Sequence, residues 1–160
     1  MRNLALLAAL AMLAACGRPA PAPEAVAPAG LNAGETPQMR QLINEYAAFY
    51  DMPPELLHRV IQRESDYNAA ARNGPYYGLM QILPETARGM GYDGPVEGLL
   101  DAETNLRYAG AYLRGAWLVS DGSIDEAVGW YARGYYYEAR NRCLLVETGL
   151  RDSEVADVCR

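Results

Sequence analysis

The chain has 160 residues and a formal net charge of −6, and all 14 of its basic residues are arginine. An acidic chain with scattered arginines lacks the basic footprint that nucleic acid requires. His58 is the only histidine and no Cys/His cluster exists, so no metal site and no cofactor is expected.

At the N-terminus, Arg2 precedes an apolar stretch from Leu4 to Leu13. It is too short to span a bilayer as a mature helix and fits the core of a secretory signal. Leu13-Ala14-Ala15-Cys16 is similar to a bacterial lipobox, in which Cys16 would carry lipid and become the first mature residue. The alternative is an ordinary signal peptide cut nearby, with Cys16 removed or incidental. Residues 1–15 are thus expected to be a lipoprotein signal peptide. Gly17, not an aspartate, follows the cysteine, which in enterobacterial-type sorting favours the outer membrane. From Gly17 to Pro37 the chain is mostly Pro, Ala and Gly and cannot bury a core. Residues 16–37 therefore read as a tether, with a reach on the order of 60 Å at about 3.1 Å per residue. A periplasmic, lipid-anchored domain is the expectation.

Residues 38–160 have the periodicity of helices. Met39, Leu42, Ile43, Tyr46, Phe49 and Tyr50 line one face of a first helix. Asp51 is placed to cap a second, with Pro53-Pro54 in its first turn and Leu56, Leu57, Val60 and Ile61 as its apolar stripe. His58 falls two residues off that stripe and is expected to be exposed. Glu64 continues the stripe near the helix C-terminus. Burial and the helix dipole there both disfavour its charge and push its pKa upward. A carboxylic acid kept protonated near neutral pH is what general acid catalysis needs. Taken alone, Glu64 reads more readily as a helix-end residue reaching water or paired with Arg59 or Arg63.

A loop rich in Asn, Ala and Gly runs from Asp66 to Gly78. Pro84 opens a short helix to about Met90, ended by Gly91 to Pro95. Asp101 caps a longer helix carrying Leu106, Ala109, Leu113, Ala116 and Trp117. Ser123 and Glu126 form a capping box for the next, which carries Val128, Trp130 and Tyr131. A final helix is expected from about Tyr135 to Thr148, with Gly149 at its C-terminus. No alternating strand is evident, so the fold class is all-α in one domain. Cys143 and Cys159 form an even pair in an exported chain and read as a disulfide; two buried thiols are the alternative.

Three runs occur in order: Glu64-Ser65-Asp66-Tyr67-Asn68; Tyr77-Gly78-Leu79-Met80-Gln81-Ile82-Leu83-Pro84-Glu85-Thr86-Ala87; and Leu100-Asp101-Ala102-Glu103-Thr104-Asn105-Leu106, followed by Tyr112-Leu113. Together they resemble the SLT-type lytic transglycosylase domain over about residues 38 to 137. These are peptidoglycan lyases of the lysozyme-like superfamily, which implies the lysozyme-like α lobe of goose-type and SLT enzymes. A fourth element departs from the family. Where it usually has Tyr-Asn-Ala-Gly, this chain has Tyr131-Ala132-Arg133-Gly134, keeping the Tyr and Gly but not the Asn. The stretch before the Gly-Leu-Met-Gln run is also altered, to Asn73-Gly74-Pro75-Tyr76-Tyr77.

The resemblance implies cleavage of the β-1,4 bond between N-acetylmuramic acid and N-acetylglucosamine by a single acid, leaving a 1,6-anhydromuramyl end. Glu64 would be that acid. Ser65 and Gln81 would hold sugar substituents, Met80 would line the groove, Tyr131 would face Glu64, and Gly78 would permit close approach of a sugar ring. Tyr77 joins them because tyrosine rings suit sugar faces and this one flanks the motif. Glycan strands and the membrane are the expected partners, with envelope-complex proteins unspecified. A hydrolytic lysozyme would share Glu64 but needs a second acid; Asp66, past the helix end, and Glu85, at a helix start, are poor candidates. A non-catalytic wall-binding or scaffold lipoprotein is the other alternative, with Ala132 as its main support.

Overall fold

The computed structural model describes residues 30–159. The expected signal peptide, Cys16 and most of the expected tether lie outside them. The described residues form an all-α domain, with six helices and one small hairpin. Helix α1 spans Pro37–Phe49; the Thr36 hydroxyl caps it by accepting from the Met39 N–H at 3.1 Å, and Pro37 sits in its first turn. Helix α2 spans Pro54–Ser65. Asp51 is not its cap. It lies outside the helix at φ +51°, and Pro53 holds the cap position without a side-chain bond. Two consecutive prolines hold the chain extended up to the first turn and leave no place for an aspartate there.

After α2, strands β1 (Arg72–Asn73) and β2 (Tyr76–Tyr77) pair antiparallel, with Arg72 opposite Tyr77 and Asn73 opposite Tyr76. Strands of two residues are too short to show a period of two, so the expected plain loop hides a hairpin. Helix α3 covers Pro84–Gly89, and a 3₁₀ turn covers Val96–Leu100. Helix α4, Ala102–Leu118, is capped by Asp101, which accepts from the Thr104 N–H at 2.8 Å. Helix α5, Ile124–Arg133, is capped by Ser123 accepting from the Glu126 N–H at 3.3 Å.

The last helix is shorter than its sequence suggests. Helix α6 covers only Tyr136–Asn141. Cys143 adopts φ +58°, which breaks the helix, and residues 144–150 form turns closed by Thr148 N–H to Leu144 O (2.9 Å) and Leu150 N–H to Leu145 O (3.0 Å). Cys143 thus follows the helix instead of lying within it. It is bonded to Cys159, with the Cα atoms 5.4 Å apart.

Helix α4 is the central element, packed on α1, α3 and α5, while α2 packs on α1 and α5. Its stripe of Leu106, Ala109, Leu113 and Ala116 is fully buried, as are Leu56, Leu57 and Ile61 of α2. Each such leucine contributes about 1.5–3 kcal/mol. Tyr135 enters the core against Gly115 of α4, where a Cβ would collide with its ring, and donates to the Tyr112 carbonyl at 2.8 Å. This packing brings the C-terminal ends of α2 and α5 to one edge of the domain, beside the loop that follows β2.

His58 is not exposed. Its Nδ1 lies 3.0 Å from the Tyr67 hydroxyl and 3.6 Å from Glu35, whose side chain is wholly buried. Arg40 donates to both Glu35 oxygens, the Asn32 N–H donates to Glu35 at 2.8 Å, and the Asn32 amide donates to Tyr67 at 2.6 Å. Residues at the end of the expected tether therefore pack against His58 of α2 and Tyr67 beyond it, while Glu55, Arg59, Gln62 and Arg63 of that helix stay exposed. Periodicity within α2 carries no signal for a covering segment from elsewhere.

Candidate active site

Glu64 occupies the last turn of α2 with its side chain 26% exposed and Arg63 Nε at 3.7 Å. Burial holds its carboxyl above the usual carboxylate range, and the Arg63 guanidinium works against that shift. It opens onto a hollow of about 350 Å³ with Arg63, Asn73, Tyr76, Gln81, Tyr131 and Ala132 in its wall. The last four of these also line a second hollow of about 220 Å³, which continues past Thr86, Tyr112 and Arg133. The two form one groove. Glu64 is its only carboxylate among the described residues.

The wall opposite Glu64 is a tight loop. Tyr77 and Ile82 exchange both backbone hydrogen bonds, at 3.0 and 3.1 Å, and close it; Gly78 at φ +77° and Gln81 at φ +49° turn the chain within it. A non-glycine residue held in the left-handed region is strained and is retained where the surroundings enforce it. The enforcing groups can be named. Asn105, fully buried in α4, donates to the carbonyls of Tyr77 (2.9 Å) and Leu99 (2.8 Å) and accepts from the Met80 N–H (2.9 Å). Ser65 donates to the Leu79 carbonyl at 2.7 Å, tying the loop to the end of α2. Tyr131 donates to the Met80 carbonyl at 2.8 Å. Burial first, then the Glu64 charge, pushes the Tyr131 hydroxyl far upward, so it stays a neutral donor.

Residues 41–142 match the transglycosylase SLT domain. This chain belongs to the SLT transglycosylase family. No solved structure matches it significantly. The family is one of peptidoglycan lytic transglycosylases with a lysozyme-like fold, and its substrate is peptidoglycan.

Within the SLT domain of this chain, three of the expected site residues meet in the groove: Glu64, Gln81 and Tyr131. Gln81 Nε2 is spent on the carbonyls of Ala71 (3.1 Å) and Gly78 (2.9 Å), which leaves its oxygen as the group able to accept from a ligand. The other four sit behind the wall. Met80 is fully buried and cannot line the groove, because its backbone is held by Asn105 and Tyr131 with the side chain in the core. A Cβ at Gly78 would strike the Asn105 amide and the Leu99 carbonyl, so the close approach there is internal to the protein. Ser65 is engaged with the loop. Tyr77 is buried with the Arg72 guanidinium over its ring, 4.8 Å from the centroid.

Its neighbour Tyr76, 42% exposed, faces the groove instead. Adjacent residues of a strand point to opposite sides, so only one of the two tyrosines can do so. Asn105, Tyr112 and Arg133 escape the sequence reading as site residues. Asn105 alone had a signal, an amide on an otherwise apolar stripe. Neither rival acid enters the groove: Asp66 is an exposed left-handed residue closing α2, and Glu85 is exposed in the first turn of α3.

Proposed function

We propose that this SLT domain is a lytic transglycosylase that cleaves the muramyl–glucosaminyl β-1,4 bond with Glu64 as its single acid and base, producing 1,6-anhydromuramyl ends. The observation that carries this reading is the groove itself, where one half-buried carboxyl with an upward-shifted pKa has no carboxylate partner among the described residues. Double-displacement and water-activating glycosidases both use two carboxylates. In the first step the Glu64 proton goes to the glycosidic oxygen as the muramyl C1–O bond breaks. The substrate's acetamido group stabilises the electron-poor C1. Glu64, now a carboxylate, takes the proton of the C6 hydroxyl while its oxygen bonds to C1. The acid is restored and no water is consumed. Gln81 accepts from a sugar substituent, and Tyr76 stacks on a sugar face.

The test is digestion of purified sacculi in water labelled with heavy oxygen. Anhydromuramyl ends without label are expected. Reducing ends carrying the label would make the enzyme a hydrolase.

The reading extends to a periplasmic enzyme anchored, through lipid on Cys16, to the outer membrane, with the Pro/Ala-rich run that follows Cys16 spacing the domain from it. The short apolar stretch, the small residues before Cys16 and the Pro/Ala-rich run after it support this. Cys16→Ser should abolish metabolic labelling by fatty acid. Undiminished labelling would remove the anchor from the proposal.

A further inference from the structure

The groove differs in charge from the chain that builds it. The protein carries a net charge of −6, yet the groove wall holds two arginines, Arg63 and Arg133, against one carboxylate. With Glu64 protonated, as a general acid must begin, only positive charge remains there. Arg63 has a partner in Glu64 at 3.7 Å. Arg133 forms no ion pair among the described residues. It is the exposed last residue of α5, and its guanidinium lies over the Trp130 ring, 3.8 Å from the centroid. A guanidinium stacked by its face keeps its N–H edge available in a fixed plane, the arrangement that suits a carboxylate. Next to it, exposed Ala132 lines both arms of the groove and offers only a methyl group, so nothing at that position screens Arg133 from a bound strand.

A glycan strand is neutral along its sugar backbone. Its negative charge is carried on the lactyl arm of the muramyl residue, either as the free lactyl carboxylate of a peptide-stripped strand or as carboxylates of the peptide stem. We propose that Arg133 is a specificity-determining residue that binds a carboxylate on the muramyl lactyl arm and so selects strands charged at that place. This rests on the reading of the groove as a peptidoglycan site.

The test uses the full chain in a Glu64→Gln background, which should hold strands without cutting them. Binding is measured to three soluble strand preparations: peptide-bearing, peptide-stripped with free lactyl carboxylates, and stripped with those carboxylates converted to neutral amides. Carboxylate-bearing strands should bind about 10-fold more tightly than amidated ones, the usual worth of a charge-assisted hydrogen-bonded contact. Adding Arg133→Gln should collapse that preference to within about twofold, and Arg133→Lys should retain part of it. The ranking of peptide-bearing against stripped strands identifies which carboxylate is read. A preference that survives Arg133→Gln would overturn the proposal, as would equal binding of charged and amidated strands by the parent. An equal loss of affinity for all three on Arg133→Gln would reduce Arg133 to packing on Trp130. Failure of the parent to bind any preparation would instead remove the peptidoglycan reading itself.

Discussion

Glu64 does its proposed work because of residues that never touch a sugar. Asn105 is the foremost of them. Its amide meets two carbonyls and one N–H of the surrounding loops with three bonds of 2.8–2.9 Å, all buried. Asn105→Ala would strand the Met80 N–H and the Leu99 carbonyl and leave the Tyr77 carbonyl with only the Ile82 N–H, and each unsatisfied buried group costs about 1–3 kcal/mol. The expected loss is therefore at least about 2 kcal/mol in urea unfolding, with turnover of sacculi reduced in whatever fraction folds. Wild-type stability in that variant would show that water replaces the amide. Glu64 was legible in the sequence because a carboxylate on an apolar stripe is an anomaly. Asn105 is the same kind of anomaly on α4, but an amide suggests no reaction. The choice between Tyr76 and Tyr77 could not be made without the hairpin register, which two-residue strands do not announce.

At the scale of elements, α2 is held at both ends of its catalytic half. Its final residues are tied to the loop by Ser65, and just beyond them Tyr67 is tied to residues 32–40 through Asn32, Glu35 and His58. Arg40 holds the Glu35 carboxyl below its ordinary value of 4.5, while burial pushes His58 below its ordinary 6.5. Both shifts act in the same direction. Below pH 6.5 the unfolded chain takes up the His58 proton before the folded one does, and below 4.5 the same holds for Glu35. Each group lends its full contribution above its ordinary value and loses it as pH falls through its folded one. The melting temperature should thus fall as pH drops below about 6.5. Glu35→Gln should lower it at neutral pH and flatten the melting profile below pH 4.5, leaving the His58 part of the acid limb in place. An unchanged profile would mean the cluster contributes nothing to folding. The long helices α1, α2, α4 and α5 were legible from their apolar stripes, and α4 and α5 also from their caps, Asp101 and Ser123. The end of α6 was not, because a left-handed cysteine leaves no mark on hydrophobic spacing.

Over the whole molecule, the bundle is closed at its tail by the Cys143–Cys159 bond, which spans 16 residues and contributes roughly 3 kcal/mol in the chain-entropy treatment. Leu145, buried beneath the turns after α6, gives the tail its own hold on the core. Helix α5 packs on both α2 and α4, and the groove at the edge of these helices holds Glu64. The most direct test of that single acid is the rate at which a Glu64→Gln protein releases muropeptides from purified sacculi. Glutamine keeps the size and polarity of the side chain but has no proton of suitable pKa to give. Release should fall by at least about 100-fold. The melting temperature should be unchanged or higher, because burial penalises the charge that glutamine removes. Wild-type release by a folded Glu64→Gln protein would contradict the assignment of Glu64 as the catalytic acid.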